Sequence, residues 1–315
     1  MDAARARDLL RAQSGTAEVD LNHLYYLQGS VCTGPQCSWQ LSLTDWITRP
    51  EGCRISVPIG MLDTAVSVRE VDARDGRIAV ARLAPRHLRP APGDHGTAIA
   101  SLLVGRRGAT TPGLLSGPVL FVADVFFLDD RGQPATDAAT LVAGLAWLKE
   151  KGVRVVNLSI AGPPNALLET AIRDHAAAGM MIIAAVGNNG PDAPPRYPAA
   201  YPQVVAVTAI DKWEQIYNRA NQGPHIALAA PGVGLLLTSK DARPNVVSGT
   251  SYATPFVTAA VAAVYKETAA SRAETLDRIQ TKDLGEKGDD PVFGRGLLRA
   301  PAACAGSGQV DAATR

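Results

Sequence analysis

Three residue types that together carry out nucleophilic catalysis lie at the ends or beginnings of predicted elements. Asp63 ends an apolar segment, His95 opens a helix of small and apolar residues, and Ser251 lies in Ser-Gly-Thr-Ser-Tyr-Ala-Thr-Pro (248–255) before an alanine-rich helix. A serine hydroxyl is a weak nucleophile at neutral pH, so it needs an imidazole to accept its proton and a carboxylate to fix the imidazole tautomer. The three residues could therefore support attack by Ser251 on a carbonyl carbon.

Each residue taken alone also has an ordinary structural explanation. A serine at a helix start is most often an N-cap, and an Asp or Asn after a strand usually forms a turn or caps a helix. The same helix start, however, offers unpaired N–H groups and a positive dipole end to a developing oxyanion. The remaining histidines are better explained by surface or packing positions: His23, His87, His175 and His225.

Short apolar strands alternate with helical patterns from residue 55 onward. Strands are predicted at 55–62, 78–83, 119–125, 153–158, 180–186, 204–209 and 226–229, and helices at 97–104, 136–151, 165–178 and 252–268. This alternation predicts an α/β fold with a mostly parallel sheet and helices on both faces. Ligands of such sheets bind outside the carboxyl ends of the strands, where Asp63, Ser159 and Asn188 follow their strands.

The motifs resemble a known family when they are read together. Leu-Asp-Thr (62–64), His-Gly-Thr (95–97) and Gly-Thr-Ser-Tyr-Ala-Thr-Pro (249–255), in that order, resemble the three signature segments of the subtilisin-like serine proteases, the subtilases. Further segments between 155 and 234 are similar to that family in the expected order. The resemblance covers about residues 55–302 and implies a subtilisin-like fold and a serine endopeptidase that works through an acyl-enzyme.

The resemblance also implies a role for each site residue. Ser251 is expected to be the nucleophile, His95 the general base and then acid, and Asp63 the residue that orients His95. Asn188 is expected to donate from its side chain to the oxyanion, together with the backbone N–H of Ser251.

Two further segments are implied to bind substrate. Ser159, Ile160 and Ala161 would form one wall of the primary specificity pocket. Asp130, Arg131 and Gly132 would form an edge that pairs with an extended substrate through main-chain hydrogen bonds.

The sequence departs from the family pattern in several places. Tyr252 and Thr254 stand where methionine and serine are common, and both leave the triad intact. The segment 106–113 lacks the asparagine-rich loop of the family's tight calcium site, so no metal or cofactor is predicted there. The acidic segment 283–290 contains Gly285 and Gly288 and is predicted to be a solvated turn.

Arg196 occupies a position at the base of the primary pocket that is often glycine in subtilases. Its side chain would either shorten the pocket and favour small residues, or place a cation there and favour acidic ones. A third reading has the side chain turning outward to water.

The chain is predicted to have three parts. Residues 1–54 form an N-terminal extension, residues 55–302 the peptidase domain, and residues 303–315 a tail that is loose unless Cys304 holds it. The extension could be a prosegment remnant, a linker, or an arm stapled by disulfides. We favour the stapled arm because Cys53 lies immediately before the first core strand.

The amino-acid composition predicts the cellular compartment and excludes some classes of partner. The even number of cysteines (Cys32, Cys37, Cys53 and Cys304) favours disulfides, and hence a secreted or periplasmic protein whose leader is absent from the given sequence. A net charge of +1 and 5% aromatic residues argue against a nucleic-acid partner, and no apolar window is long enough to span a membrane.

The expected partners are a peptide or protein substrate and a prosegment or inhibitor. The main alternative is a catalytically silent pseudoprotease that binds peptides. A nucleotide-binding α/β domain is a weaker alternative, because no GxGxxG or P-loop follows a first strand.

Overall fold

A computed structural model of the chain describes residues 39–46, 53–68, 71, 77–106, 112–266 and 271–305. All of these residues lie in one unit, Cys37–Arg315. Cys32, Cys37 and most of the extension 1–54 lie outside the described residues, so the predictions made for them stay predictions.

The described residues form fifteen strands and six helices. The strands are β1 (Cys53–Arg54), β2 (Ile59–Asp63), β3 (Ile78–Arg82), β4 (Leu115–Ser116), β5 (Leu120–Asp124), β6 (Phe127–Leu128), β7 (Pro134–Ala135), β8 (Val155–Leu158), β9 (Met181–Ala185), β10 (Val205–Ile210), β11 (Ile226–Pro231), β12 (Val233–Thr238), β13 (Pro244–Ser248), β14 (Thr281–Lys282) and β15 (Leu297–Leu298). The helices are α1 (Trp39–Leu43), α2 (Asp94–Val104), α3 (Ala138–Glu150), α4 (Ala166–Ala177), α5 (Thr250–Val264) and α6 (Arg272–Leu276).

The central sheet has nine strands in the order β14-β15-β11-β10-β9-β8-β2-β5-β3. Every pair in it is parallel except β14 with β15. The predicted mostly parallel α/β sheet is confirmed, and seven of its nine strands, all except β14 and β15, are the seven that the apolar pattern predicts. None of the helices in the described residues is long and apolar enough to cross a membrane.

The strand order changes direction between β2 and β8. From β2 the chain builds β5 and β3 on one side, and from β8 it builds β9, β10 and β11 on the other. Crossover connections leaving a parallel sheet in opposite directions open a crevice at the carboxyl ends of the two strands. Asp63 is the last residue of β2 and Ser159 directly follows β8, so the crevice lies between two predicted site residues.

Helices cover both faces of the sheet. Buried residues of α2 and α5 pack with Ile59 and Met61 in one core, and those of α3 and α4 pack with Leu62 in the other. A strand buried on both faces is expected in a parallel sheet. The close packing leaves little room for a side chain at Gly60 in β2: a Cβ there would lie 2.6 Å from Leu148 Cδ1, so the Leu148 side chain would have to shift.

The C-terminal end of the described chain is anchored to the core. Cys304 forms a disulfide with Cys53 and is buried. The tail 303–315, predicted to be loose unless Cys304 holds it, is therefore held at this residue. The region before Cys53 is tied in as well: buried Trp46 donates from Nε1 to the carbonyl oxygen of Leu114 at 2.9 Å. These contacts hold Trp46 and Cys53 against the rest of the described chain, while the nature of the extension and the domain boundaries stay predictions.

Candidate active site

Asp63 holds the imidazole of His95 through a single carboxylate oxygen. Asp63 is fully buried at the end of β2, and its Oδ1 accepts from the backbone N–H of Thr64 at 2.8 Å and from Nδ1 of His95 at 2.8 Å. Because an ionised carboxylate can only accept, the imidazole proton must be on Nδ1. In the neutral imidazole, Nε2 of His95 is thereby left with a lone pair.

The His-Gly-Thr motif fits α2 against the segment that follows β2. The N–H of Gly96 donates to the hydroxyl of Thr64 at 2.9 Å, and any Cβ on Gly96 would collide with the carbonyl oxygen of Thr64. The hydroxyl of Thr97 donates to the carbonyl oxygen of Gly93 at 2.6 Å. Small and hydroxyl-bearing residues here bring His95, the second residue of α2, within reach of Asp63.

The surroundings of His95 raise its pKa above the ordinary value of 6.5. Burial is the largest influence and lowers the pKa, but the negative charge of Asp63 and its hydrogen bond together outweigh burial. The ring of Tyr252 lies 5.5 Å from the His95 ring, centroid to centroid. Burial, with the charge of Asp63, raises the pKa of Tyr252 to about 12, so its phenol is neutral at physiological pH.

Ser251 is not an N-cap. It is the second residue of α5, and its hydroxyl donates to the carbonyl oxygen of Ser159 at 3.2 Å. The carbonyl oxygen of Ser251 accepts from the hydroxyl of Ser159 at 2.8 Å. Pro255 explains this second bond: lacking an N–H, it cannot donate to Ser251 four residues earlier, and Ser159 takes the vacant place.

Two buried side chains extend this connection between β8 and α5. The amide of Asn157 donates to the Ser159 hydroxyl at 2.9 Å, and the hydroxyl of Thr258 donates to Oδ1 of Asn157 at 3.0 Å. Both residues are fully buried. In the sequence, Asn157 is one residue of a predicted strand and Thr258 one residue of a predicted helix, with no motif that marks either. Their role in supporting Ser159 becomes visible only from the packing of α5 on β8.

Thr250 fixes the orientation of the Asn188 side chain. Oδ1 of Asn188 accepts from both the backbone N–H and the hydroxyl of Thr250, each at 3.0 Å. The Thr250 hydroxyl in turn accepts from the N–H of Gly187 at 3.2 Å. With its oxygen engaged, Asn188 has its amide N–H groups available to an acceptor near the start of α5.

Of the predicted specificity-pocket residues, Ser159 contacts Ser251. Ser159 bonds to it directly, and Ile160 and Ala161 lead to Gly162, which forms a β-bridge with Tyr197. Arg196 precedes Tyr197 and contacts Gly187, the residue before Asn188.

The structure does not place the other predicted substrate segment in a strand. Asp130 and Gly132 lie in the exposed turn between β6 and β7, where Oδ1 of Asp129 accepts from the N–H groups of Arg131 and Gln133. Gly132 has φ +73°, a left-handed conformation that favours glycine. Pairing of this turn with a substrate stays a prediction.

An ion pair not expected from the sequence lies beside Asp63. Asp124, at the end of β5, is the strand partner of both Asp63 and Arg82, and its Oδ2 accepts from Arg82 at 2.8 Å. Burial raises the pKa of Asp124, and Arg82 opposes that rise. Arg82 thus compensates a second buried carboxylate next to the acid that orients His95.

Among the described residues, no group of three His, Cys, Asp or Glu side chains could hold a metal ion. The predicted acidic turn is present: Gly285 and Gly288 have φ +78° and +90°, and Oδ2 of Asp283 accepts from the N–H of Gly288. Residues 107–111 of the segment 106–113 lie outside the described residues, so the prediction that this segment holds no tight calcium site stays a prediction.

Comparisons with known proteins agree with this geometry. The model of the subtilase family matches residues 56–296. Subtilisin BL of Lederbergia lenta is 30% identical over 252 residues, which cover 78% of this chain and 90% of that protein. Subtilisin DY of Bacillus licheniformis is 27% identical over 253 residues, which cover 79% and 90%. The minor extracellular protease Epr of Bacillus subtilis (strain 168) is 30% identical over 213 residues, 66% of this chain and 32% of that protein.

A solved structure shares the fold. The protease domain of PatA, determined as a mutant, superposes with a TM-score of 0.66 at 23% identity, covering 78% of this chain and 94% of that one.

Proposed function

The chain belongs to the subtilase family of serine endopeptidases, and from that premise we propose that it cleaves peptide bonds with Ser251 as nucleophile. His95 acts as general base and then general acid, Asp63 orients it, and Asn188 with the N–H of Ser251 binds the oxyanion. The observation that carries this assignment is the 2.8 Å bond between Asp63 and Nδ1 of His95, made at the crevice where α5 presents Ser251.

In the first step the Ser251 hydroxyl changes its hydrogen-bond acceptor, from the carbonyl oxygen of Ser159 to Nε2 of His95. The Ser251 oxygen attacks the peptide carbonyl carbon while Nε2 takes its proton, and the negative charge of Asp63 stabilises the imidazolium. The tetrahedral intermediate collapses, and the leaving amine receives that proton. His95 then deprotonates a water that hydrolyses the acyl-enzyme and regenerates Ser251.

The oxyanion is bound at the N-terminus of α5. The first N–H groups of a helix have no partner within the helix, and Ser251 is its second residue. An amide N–H of Asn188 supplies a second donor, already oriented by Thr250. Donors held in place before the reaction need no reorganisation as charge develops on the substrate oxygen.

Substrate is bound by main chain and by one side-chain pocket. The segment Ser159, Ile160 and Ala161 leaves β8 beside Ser251 and lines the primary pocket, with Arg196 opposite. The turn containing Asp130 and Gly132 is proposed to contact the extended substrate from the other side.

A serine-directed fluorophosphonate tests the proposal. The wild-type protein should be labelled at Ser251, and the Ser251→Ala variant should not be labelled. A folded wild-type protein that resists labelling and cleaves no peptide would favour the peptide-binding pseudoprotease. The sequence keeps Asp63, His95, Asn188 and Ser251 together, which argues against that alternative. A protease that has lost its activity in evolution normally has at least one of its catalytic residues replaced.

We also propose that the enzyme works in an oxidising compartment, as a secreted protein, and needs no tightly bound calcium. The Cys53–Cys304 disulfide supports the compartment, since such bonds persist mainly outside the cytoplasm. Activity that survives EDTA would support the second part, and loss of activity restored by calcium would contradict it.

A further inference from the structure

We propose that the primary pocket selects an acidic residue on the acyl side of the scissile bond, the P1 residue, and that Arg196 is the cation that selects it. This rests on the proposed function, because it concerns the substrate class of the same site.

The pocket lies where three segments meet next to Ser251. The hydroxyl of Ser251 donates to the carbonyl oxygen of Ser159, which begins the first segment. Gly162 at the far end of that segment exchanges two backbone hydrogen bonds with Tyr197, at 2.7 and 2.9 Å. The residue before Tyr197 is Arg196, so the bridge holds Arg196 beside the far end of the segment that starts at Ser159.

The third segment is the end of β9, and Arg196 packs directly on it. A Cβ on Gly187 would lie 3.0 Å from Cγ and 3.3 Å from Cβ of Arg196, and Gly187 has φ +101°. The first carbons of Arg196 therefore lie against the residue that precedes Asn188. This contact, together with the burial of Nε, supports placing the side chain at the base of the pocket.

One N–H group of the Arg196 guanidinium, at Nε, lacks a hydrogen-bond acceptor. Its Nε is buried without a hydrogen-bond partner, and no carboxylate within the described part of the chain forms an ion pair with Arg196. A buried N–H without an acceptor is destabilising, and a carboxylate is its best partner because two N–H groups can bond to its two oxygens.

Charge and size act together in this pocket. The carbons of Arg196 occupy space at its base, which disfavours a large apolar P1 residue such as Phe. A glutamate carboxylate can bond to the guanidinium, whereas the amide of a glutamine of the same size brings N–H groups as well as an oxygen. Comparing Glu with Gln therefore isolates charge from volume.

The test uses four peptide substrates that differ only at P1, with Glu, Gln, Ala or Phe. We expect kcat/KM for Glu to exceed that for Gln about tenfold, the effect of one charge-assisted bond in a partly solvated site. The ratio should fall as ionic strength rises. The ratio should approach one in Arg196→Met and fall below one in Arg196→Glu. A remote variant that removes the same charge as Arg196→Met, Arg173→Met on α4, should keep the wild-type ratio.

Fluorophosphonate labelling of the same preparations separates the two levels of inference. Labelled wild-type enzyme with a Glu to Gln ratio of one or less overturns the role of Arg196 and leaves the proposed function standing. Absence of both labelling and hydrolysis overturns both. The wild-type ratio and its salt dependence decide the matter even if Arg196→Met does not fold, and Arg196→Gln serves as a second neutral variant.

Discussion

Thr250 donates twice to the same oxygen of Asn188, from its backbone N–H and from its hydroxyl, each at 3.0 Å. The residue before Ser251 thus orients the side chain proposed to bind the oxyanion, and one hydrogen-bonded unit positions both Asn188 and the start of α5. Loss of a comparable side-chain donor in subtilisin itself reduces turnover by about 10²–10³. We expect Asn188→Ala to lower kcat by a similar factor with little change in KM, measured by steady-state hydrolysis of a peptide substrate.

Thr250→Val should also lower kcat, but by a smaller factor than Asn188→Ala. It removes one of the two bonds to Asn188 and the acceptor of the Gly187 N–H, keeps the backbone N–H of Thr250, and preserves the side-chain shape. We expect kcat to fall about tenfold, as for one hydrogen bond, with KM unchanged. Thr250→Ser is the matched control and should restore most of kcat. A rise in KM with unchanged kcat would show instead that Thr250 acts on substrate binding.

The rate should depend on pH through His95. The general base must be neutral, so activity is present above the pKa of His95 and lost as pH falls through it. Because Asp63 raises that pKa above 6.5, the midpoint of the acid limb of kcat/KM should lie above pH 6.5. The measurement uses a P1 Ala substrate between pH 5 and 9, so that no substrate group titrates. In Asp63→Asn, where burial still lowers the pKa without the opposing charge, the residual activity should have its midpoint at lower pH. A wild-type midpoint at or below 6.5 would contradict this assignment.

The inner strands and the order of the motifs could be predicted because both depend on local pattern. Apolar runs bounded by turn residues identify β2, β5 and β8 to β11. The β12 and β13 hairpin escaped prediction because most of β13 is exposed and Pro244–Ser248 lacks an apolar pattern. The helix containing Ser251 begins two residues earlier than its apolar pattern indicates, and this difference places Ser251 inside the helix.

Contacts between distant segments could not be predicted. Arg82 pairs with Asp124 because β5 is inserted between β2 and β3, two strands that precede it in the chain. Ser159 meets the carbonyl oxygen of Ser251 across 92 residues. Strand order and the packing of α5 decide these pairs, and neither has a local signal.

The Cys53–Cys304 disulfide should contribute substantially to stability. It joins residues 251 positions apart, and loss of a native disulfide typically costs about 2–5 kcal/mol. Urea unfolding should be followed in a Ser251→Ala background, where the protein cannot digest itself. Cys53→Ser and Cys304→Ser should each lower the free energy of unfolding by that amount, and the double variant should be no less stable than the single ones. Additive losses would show that the two sulfurs act independently.

Ser159 and Pro255 should be energetically coupled through the carbonyl oxygen of Ser251. Ser159→Ala removes the donor to that oxygen and should lower stability and kcat, since a lost hydrogen bond of this kind costs about 0.5–1.5 kcal/mol. Pro255→Ala supplies the missing helix N–H, so the same oxygen gains a donor within α5. Ser159→Ala should therefore cost less in the Pro255→Ala background than in the wild type.

Ser159→Ala also removes the hydrogen bond that Asn157 donates to Ser159. This loss occurs in both backgrounds, so it cancels when the wild type, the two single variants and the double variant are compared in a double-mutant cycle. Four proteins suffice: urea unfolding in the Ser251→Ala background gives the coupling in stability, and kcat of the four with Ser251 intact gives the coupling in catalysis. Strict additivity in both measurements would mean that the Ser159 hydroxyl does not replace the helix bond that proline removes.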